Sequence, residues 1–299
     1  QLADGGRITL ENGAIVEIDD VQAPIPGLFV HRGRVLAGTI TEGSLVLAQI
    51  DSERRAGISR AHTATHMVHK AFREILGETA TQAGSENSPG RFRFDFPSAS
   101  AVSPTVLQDV EARVNSLLLD DLEVSAEEMS QAQAREIGAM ALFGEKYGDR
   151  VRVVSVGEWA RELCGGTHVS RSGQLGVVKI LSESSIGAGV RRVEALVGVD
   201  AYRFLAREHI LLNSLTELIK GARSEELPER ISDLMSRMKE MEKEIAGVRT
   251  AQARAQAKEL ATRFEEMNGF KVLTAQVGKN VSADDLRTMA LELKVEGSP

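Results

Sequence analysis

The stretches His62-Thr63-Ala64-Thr65-His66 and Cys164-Gly165-Gly166-Thr167-His168 are the most informative parts of this 299-residue sequence. Each places two good transition-metal ligands four residues apart, and together they offer three imidazoles and one thiolate. That combination is a complete tetrahedral ligand set for zinc. Cys164 is also the only cysteine in the sequence, so a disulfide within the chain is excluded. Metal binding or nucleophilic chemistry therefore becomes the leading role for its thiol.

The spacing of these residues suits one ion but leaves its task open. On a helix, residues four apart project from the same face, so His62 and His66 can hold one ion, with His69 near that face. Cys164 and His168 flank a Gly-Gly pair, which lets the backbone turn tightly and the two side chains converge. A metalloprotease helix needs Glu where Thr63 stands, and the nucleobase deaminase motifs are absent. The residues alone therefore leave a structural zinc or a zinc-assisted hydrolase with a different proton carrier.

The bulk composition is that of an ordinary globular protein, with 42% hydrophobic and 26% charged residues. We expect no membrane span, because no apolar run reaches the length that crosses a bilayer. One cysteine and the lack of a targeting signal favour the cytoplasm. The net charge of −7 argues against a generic nucleic-acid-coating surface but leaves local basic patches open. Gln1 at the start and an arbitrary-looking stop over residues 295–299 suggest an excised fragment.

The first two parts of the chain predict an α+β fold. Residues 1–58 hold short β-branched runs separated by turn signals at Asn12-Gly13 and His31-Arg32-Gly33, which predict a small β-barrel. Residues 59–198 mix helix and strand, as in an α+β domain. Here Ser59 is expected to cap a helix from Arg60 to Leu76 that Gly77 stops, and the alternating residues 91–96 are expected to form a strand.

The remaining parts predict helices followed by the start of a further domain. Residues 199–268 contain a long helix to about Met267 whose apolar positions follow 3/4 spacing: Ile231, Leu234, Met238, Met241, Ile245 and Val248. We favour a packed helical hairpin over a dimerising coiled coil, because Met and Ala at the contact positions would make a weak coiled-coil interface. Self-association through the helices after residue 200 is the alternative. Residues 269–299, with a strand at 271–277 and a helix at 282–293, predict the beginning of a truncated domain.

Further motifs accompany the two metal segments: Thr81-Gln82-Ala83-Gly84-Ser85, Arg91-Phe92-Arg93-Phe94-Asp95-Phe96, residues 141–149 and residues 187–195. Together they resemble the editing region of bacterial alanyl-tRNA synthetase, and the resemblance runs through essentially the whole chain. It implies an editing domain of the kind shared with threonyl-tRNA synthetase and AlaX-type editing proteins. Residues 199–268 then resemble the family's helical linker, and residues 269–299 the start of its C-terminal tRNA-binding and oligomerisation domain.

The resemblance implies hydrolysis of the ester in tRNA(Ala) mischarged with serine or glycine. An activation pocket for alanine rejects glycine weakly, because one lost methyl group costs only ~1–3 kcal/mol, and it cannot cleanly refuse serine either. A second, hydrolytic site is therefore needed. The upstream part of such a protein would attach alanine to tRNA(Ala) using ATP.

The resemblance also implies roles for particular residues. One Zn²⁺ per chain is expected on His62, His66, Cys164 and His168. Thr65 and Gln82 are expected to handle the substrate, although without the resemblance a packed helical Thr and a solvated loop amide would be preferred. Cys164 as a nucleophile is the less favoured alternative, since binding to zinc reduces the nucleophilicity of a thiolate. Candidates for phosphate contacts with the tRNA are Arg91, Arg93, Lys146, Arg191 and Arg192. For each of them, a solvated charge on the face of a strand is an equally good interpretation.

Three functions remain in competition at this point. The first is the editing region of an alanyl-tRNA synthetase, and the second is a free-standing AlaX-type protein that edits in trans. The third is a non-enzymatic, zinc-stapled module that binds tRNA and mediates self-association. The long helical segment and the start of a further domain favour the first.

Overall fold

The structure is a computed structural model that describes residues 1–25, 27–141, 148–219, 221–278 and 281–296. The chain divides into two compact units, Gln1–Glu208 and His209–Pro299. In the described residues, no helix combines the length and apolar character needed to span a membrane.

The first four strands form an open antiparallel sheet. They are β1 (Gly6–Leu10), β2 (Ile15–Ile25), β3 (Leu28–Ala37) and β4 (Val46–Ile50), in the order β3-β2-β1-β4. The turn expected at Asn12-Gly13 joins β1 to β2, but the expected closed barrel is not formed among the described residues.

Gly33 explains why the barrel prediction was wrong. It lies within one continuous strand, β3, so two expected strands merge and only four remain, too few to curl round and pair their edges. A Cβ at Gly33 would lie 1.9 Å from the carbonyl oxygen of Glu17, opposite a shift in register between β2 and β3. The glycine therefore permits close approach at a β-bulge and does not mark a turn.

The rest of the first unit places two further antiparallel sheets around the helix that carries the histidines. The sheet orders are β10-β11-β6-β5 and β7-β8-β9. The elements are α1 (Ser52–Leu76), β5 (Gly84–Ser88), β6 (Arg91–Pro97), α2 (Pro104–Leu119), β7 (Val124–Ser130), α3 (Gln131–Glu136), β8 (Arg150–Val156), β9 (Ala160–Leu163), β10 (Val178–Gly187) and β11 (Val190–Val197).

Helix α1 begins earlier than the sequence predicted. Its N-cap is Asp51, whose side chain accepts a hydrogen bond from the backbone N–H of Arg54 at 2.9 Å, and Ser59 lies buried inside the helix. Asp and Ser are comparable N-caps, so a residue preference could not choose between them. The predicted end at Leu76 and Gly77 is confirmed.

Aromatic packing holds α1 on the sheet that contains β6. The rings of Phe72 and Phe96 lie 4.9 Å apart, those of Phe94 and Phe96 lie 5.5 Å apart, and all three side chains are fully buried. Burying a Phe side chain contributes roughly 1.5–3 kcal/mol, so this cluster is a major anchor of the helix. The cluster therefore fixes the position of the α1 histidines relative to the sheet.

The helices beyond residue 198 differ in two ways from the prediction. They are α4 (Val199–Leu218), α5 (Leu227–Ala261) and α6 (Ala283–Glu296). Helix α5 ends before Met267, because β12 (Glu265–Met267) and β13 (Phe270–Val272) form a hairpin around Asn268-Gly269, both with positive φ. The packed hairpin is not confirmed, since the six apolar positions of α5 remain 38–56% exposed. Helix α6 instead packs on the C-terminal part of α5, through Ala253, Ala257 and Met289.

Candidate metal centre

The structure brings together the four side chains that the sequence singled out. Successive turns of α1 present His62 and His66, and the loop after β9 presents Cys164 and His168. One donor atom from each residue lies within 4.8 Å of every other. Cys164 Sγ is 3.5 Å from His62 Nε2 and 3.4 Å from His168 Nε2. This arrangement could hold one metal ion.

Each of the three imidazoles uses its other ring nitrogen, Nδ1, for a contact directed away from the cluster. The partners are Gln1 Oε1 at 2.9 Å from His62, Glu162 Oε2 at 2.9 Å from His66, and Thr63 Oγ1 at 3.1 Å from His168.

These partners fix which nitrogen carries the proton. Gln1 Oε1 also accepts a hydrogen bond from the backbone N–H of Thr167 at 2.9 Å, so it acts as an acceptor. A carboxylate oxygen of Glu162 can only accept, and Thr63 gives its one hydroxyl hydrogen to the carbonyl of Ser59 at 3.0 Å. All three partners therefore favour a proton on Nδ1 and leave Nε2 with the lone pair that a metal ion needs.

The electrostatics of the cluster favour a cation. Burial lowers the pKa of His62 and lowers that of His168 to about 4. Burial would raise the pKa of the Cys164 thiol, but its polar contacts with the rings of His168, His62 and His66 outweigh burial and lower the pKa to about 3. The pKa of the buried Glu162 is likewise held well below its usual range by His66 and His69. A thiolate and a carboxylate beside the neutral imidazoles of His62 and His168 match the charge of a divalent ion.

The pKa of His66 shows the same attraction for positive charge. Burial alone would lower the pKa, yet the charges of Glu162 and Cys164 raise it to about 10. The proton thus stabilised on the His66 ring and a metal ion would be alternative cations in one negative environment.

Four supporting residues escaped the sequence reasoning: Gln1, Thr63, Arg152 and Glu162. Arg152 Nη1 donates to the carbonyls of Cys164 at 2.8 Å and Gly166 at 2.9 Å and so holds the shape of the metal-binding loop. Glu162 had a usable signal, because it stands two residues before Cys164 at the end of a strand, where alternate side chains share a face. Gln1, Thr63 and Arg152 carry no such pattern.

The two residues expected to handle the substrate differ in position and in exposure. Thr65 is 1% exposed, and its hydroxyl lies 2.9 Å from the Ala61 carbonyl oxygen and 2.6 Å from Oδ1 of Asn87. Gln82 lies half-buried in the segment between α1 and β5. Their roles toward a substrate stay predictions.

The arginines expected to contact tRNA are paired with carboxylates in the sheet that contains β6 and β11. Arg91 lies 2.9 Å from Glu194, Arg93 lies 3.5 Å from Glu86, and Arg192 Nε lies 2.7 Å from Asp95 Oδ1. Arg191 makes two contacts with Glu183, of which the one from Nη2 to Oε2 is 2.6 Å. Lys146 falls outside the described residues. Because these pairs neutralise much of the positive charge, phosphate binding by the arginines stays a prediction.

Comparison with known proteins first defines the class. Residues 151–194 match the family model described as the threonyl and alanyl tRNA synthetase second additional domain. This span contains Glu162 and two of the clustered donors, Cys164 and His168. This part of the chain is therefore similar to a domain found in threonyl and alanyl tRNA synthetases.

Longer alignments define the family. Over 98% of its length the chain is 62% identical to the alanine–tRNA ligase of Nocardioides sp. and 59% identical to that of Acidothermus cellulolyticus. It is 54% identical over its full length to the alanine–tRNA ligase of Salinispora tropica. The chain spans about a third of the length of these curated relatives, 33% in each case. The chain therefore matches a segment of the bacterial alanine–tRNA ligases.

Proposed function

We propose that this chain edits mischarged tRNA: it hydrolyses the ester that joins serine or glycine to tRNA(Ala), at a centre holding one Zn²⁺. The observation that carries the proposal is the cluster of three imidazoles and one thiolate within 4.8 Å, of which Cys164 and His168 lie in the segment that matches a tRNA synthetase domain. Zinc prefers such nitrogen and sulfur donors. Alignment of 98% of the chain with alanine–tRNA ligases, helices included, favours editing within a synthetase over a free-standing AlaX-type protein.

In this proposal His62, His66, Cys164 and His168 hold the ion. When bound, zinc would supply a Lewis acid that polarises an ester carbonyl or a water molecule. Cys164 serves as a ligand, because its thiolate already faces two imidazoles and hydrolysis by water needs no covalent intermediate. Thr65 and Gln82 recognise the seryl hydroxyl or the ester, which a hydroxyl and an amide can both do.

The partner in this proposal is tRNA(Ala), contacted through its phosphates by Arg91, Arg93, Lys146, Arg191 and Arg192. Each arginine would exchange a carboxylate for a phosphate, so the binding should be weak at high salt. The longer protein, of which this is a segment, would attach alanine to tRNA(Ala) with ATP in the cytoplasm.

A second candidate is a structural zinc in a module that binds tRNA without hydrolysing it. Four protein donors are typical of closed structural sites, which leave no open position for substrate. That observation keeps this candidate in competition with editing.

Deacylation of charged tRNA separates the two candidates. The purified chain would be incubated with seryl-, glycyl- and alanyl-tRNA(Ala), beside Cys164→Ala and a control variant, His209→Ala, whose imidazole is exposed on α4. We expect the chain and the control to release serine and glycine faster than alanine, and Cys164→Ala to match spontaneous hydrolysis. Equal slow decay of all three esters, with tRNA still bound, would leave the binding module.

A further inference from the structure

We infer that Glu162 and His69 form a positioning pair that fixes His66 as a metal ligand. The Glu162 carboxylate lies between two histidines of α1: Oε2 is 2.9 Å from His66 Nδ1, and Oε1 is 2.8 Å from His69 Nδ1. The inference rests on the proposed metal centre and adds two residues that are not themselves ligands.

Burial shows that this arrangement has a purpose beyond filling space. Glu162 is 3% exposed, His66 5% and His69 0%. A buried carboxylate and a buried imidazole both lose hydration, which apolar residues of similar size would not. We therefore attribute to their polar contacts a role that an apolar core could not fill.

His69 connects the pair to the hydrophobic core. Its ring lies 5.2 Å from that of Phe94, inside the aromatic cluster that anchors α1. Within the described residues neither ring nitrogen of His69 makes a well-aligned hydrogen bond, so its polar contact is the close approach of Nδ1 to Glu162 Oε1 at 2.8 Å. The core thus fixes His69, His69 fixes one oxygen of Glu162, and the other oxygen fixes His66.

The consequence for the metal centre follows from the tautomer of His66. A carboxylate that accepts the Nδ1 hydrogen keeps the lone pair on Nε2, aims it at the cluster and makes the nitrogen more basic. Glu162 also adds a negative charge next to the ion. Removing these effects should reduce metal affinity while the four ligands stay in place.

The test compares Zn²⁺ affinity among matched variants of the full chain, by competition with a chromophoric chelator. Glu162→Gln keeps the shape but removes the charge, and His69→Phe keeps a ring beside Phe94 but removes the contact. The control is Glu158→Gln, because Glu158 lies four residues away with its side chain 93% exposed. We expect Glu162→Gln to bind zinc about 10- to 100-fold more weakly and the control to match the unaltered chain.

The double variant and a spectroscopic probe separate positioning from simple support of the fold. If His69 acts through Glu162, His69→Phe should weaken binding by less than Glu162→Gln and add little to it in the double variant. With Co²⁺ in place of zinc, the visible absorption should change in Glu162→Gln and not in Glu158→Gln.

The possible failures are distinguishable. No stoichiometric metal binding by the unaltered chain would overturn the metal centre itself. Normal binding by that chain, with Glu162→Gln equal to the control in affinity and in Co²⁺ spectrum, would overturn the positioning role alone. Fully additive losses in the double variant would overturn the assignment of His69. If Glu162→Gln is too unstable when metal-free to measure, a His69→Phe variant with unaltered affinity would count against the pair.

Discussion

A Cβ added at Gly166 would lie 2.2 Å from His62 Cε1 and 2.4 Å from His62 Nδ1, whereas a Cβ added at Gly165 meets nothing within 4 Å. Both contacts at Gly166 are too short to exist, so His62 would have to leave the position that its bond to Gln1 defines. We predict that Gly166→Ala weakens zinc binding by about tenfold or more, as loss of a ligand's support does. Chelator competition measures the change.

Gly165→Ala is the matched control, because it adds the same carbon to the same loop and should bind zinc like the unaltered chain. Equal affinities for the two variants would contradict the prediction. The sequence suggested that both glycines serve a tight turn, but neither has positive φ. The space that Gly166 leaves for His62 depends on a residue far along the chain, which local patterns do not reveal.

The same distinction explains which site residues were predictable. The spacing of His62 and His66, and that of Cys164 and His168, indicated that each pair can share an ion. Such spacing is a local property of a helix or a loop. Glu162 acts through a contact with His66 that exists only after α1 and β9 pack together. Residue type and spacing therefore indicate candidate ligands better than they indicate the groups that would orient them.

At the scale of elements, α5 carries an apolar stripe with a seven-residue repeat. Its members are exposed, and the flanking charges Arg237 and Glu242, like Glu244 and Arg249, are opposite in sign and five residues apart. That pattern suits a parallel pair of helices, in which such positions face each other across the interface. We predict that the chain self-associates through this stripe, and that Met238→Glu with Ile245→Glu prevents it. Sedimentation over a range of concentrations reports the change.

The control for this prediction places the same charges on the opposite face, as Ser236→Glu with Lys243→Glu. That variant should associate like the unaltered chain. A monomer at all concentrations for every protein would refute self-association through α5. If both double variants have the same molar mass and it exceeds that of a monomer, the interface lies elsewhere in the chain.

Element existence was easier to predict than element ends. The helical period identified α1 and α5, but α1 starts at Ser52 because Asp51, and not Ser59, is its N-cap. Helix α5 stops early because Asn268-Gly269 forms a hairpin turn between two three-residue strands. Both outcomes depend on packing or turn formation that competes with a locally reasonable alternative.

At the scale of the whole molecule, the donors come from distant parts of the first unit, with α1 contributing two and the loop after β9 the others. An ion bound there would hold these parts together, whereas α6 packs on α5 in the second unit without any of them. Metal should therefore stabilise one unit selectively. The four-residue spacing implied this link between distant segments before the structure was known, although the number of strands in the first sheet was predicted wrongly.

We predict that removing metal with a chelator lowers the unfolding temperature of the first unit and leaves the helical second unit unchanged. Free zinc at 100 times its dissociation constant stabilises a folded state by about 2.7 kcal/mol. For a unit of this size each kcal/mol corresponds to roughly 2–4 °C, so a shift of roughly 5–11 °C is expected and should reverse when zinc is restored. Calorimetry resolves the transitions, with Cys164→Ala as a variant that should not respond. If both transitions move together, the ion stabilises more than the unit that holds its ligands; if neither moves, the four donors do not hold a metal in solution.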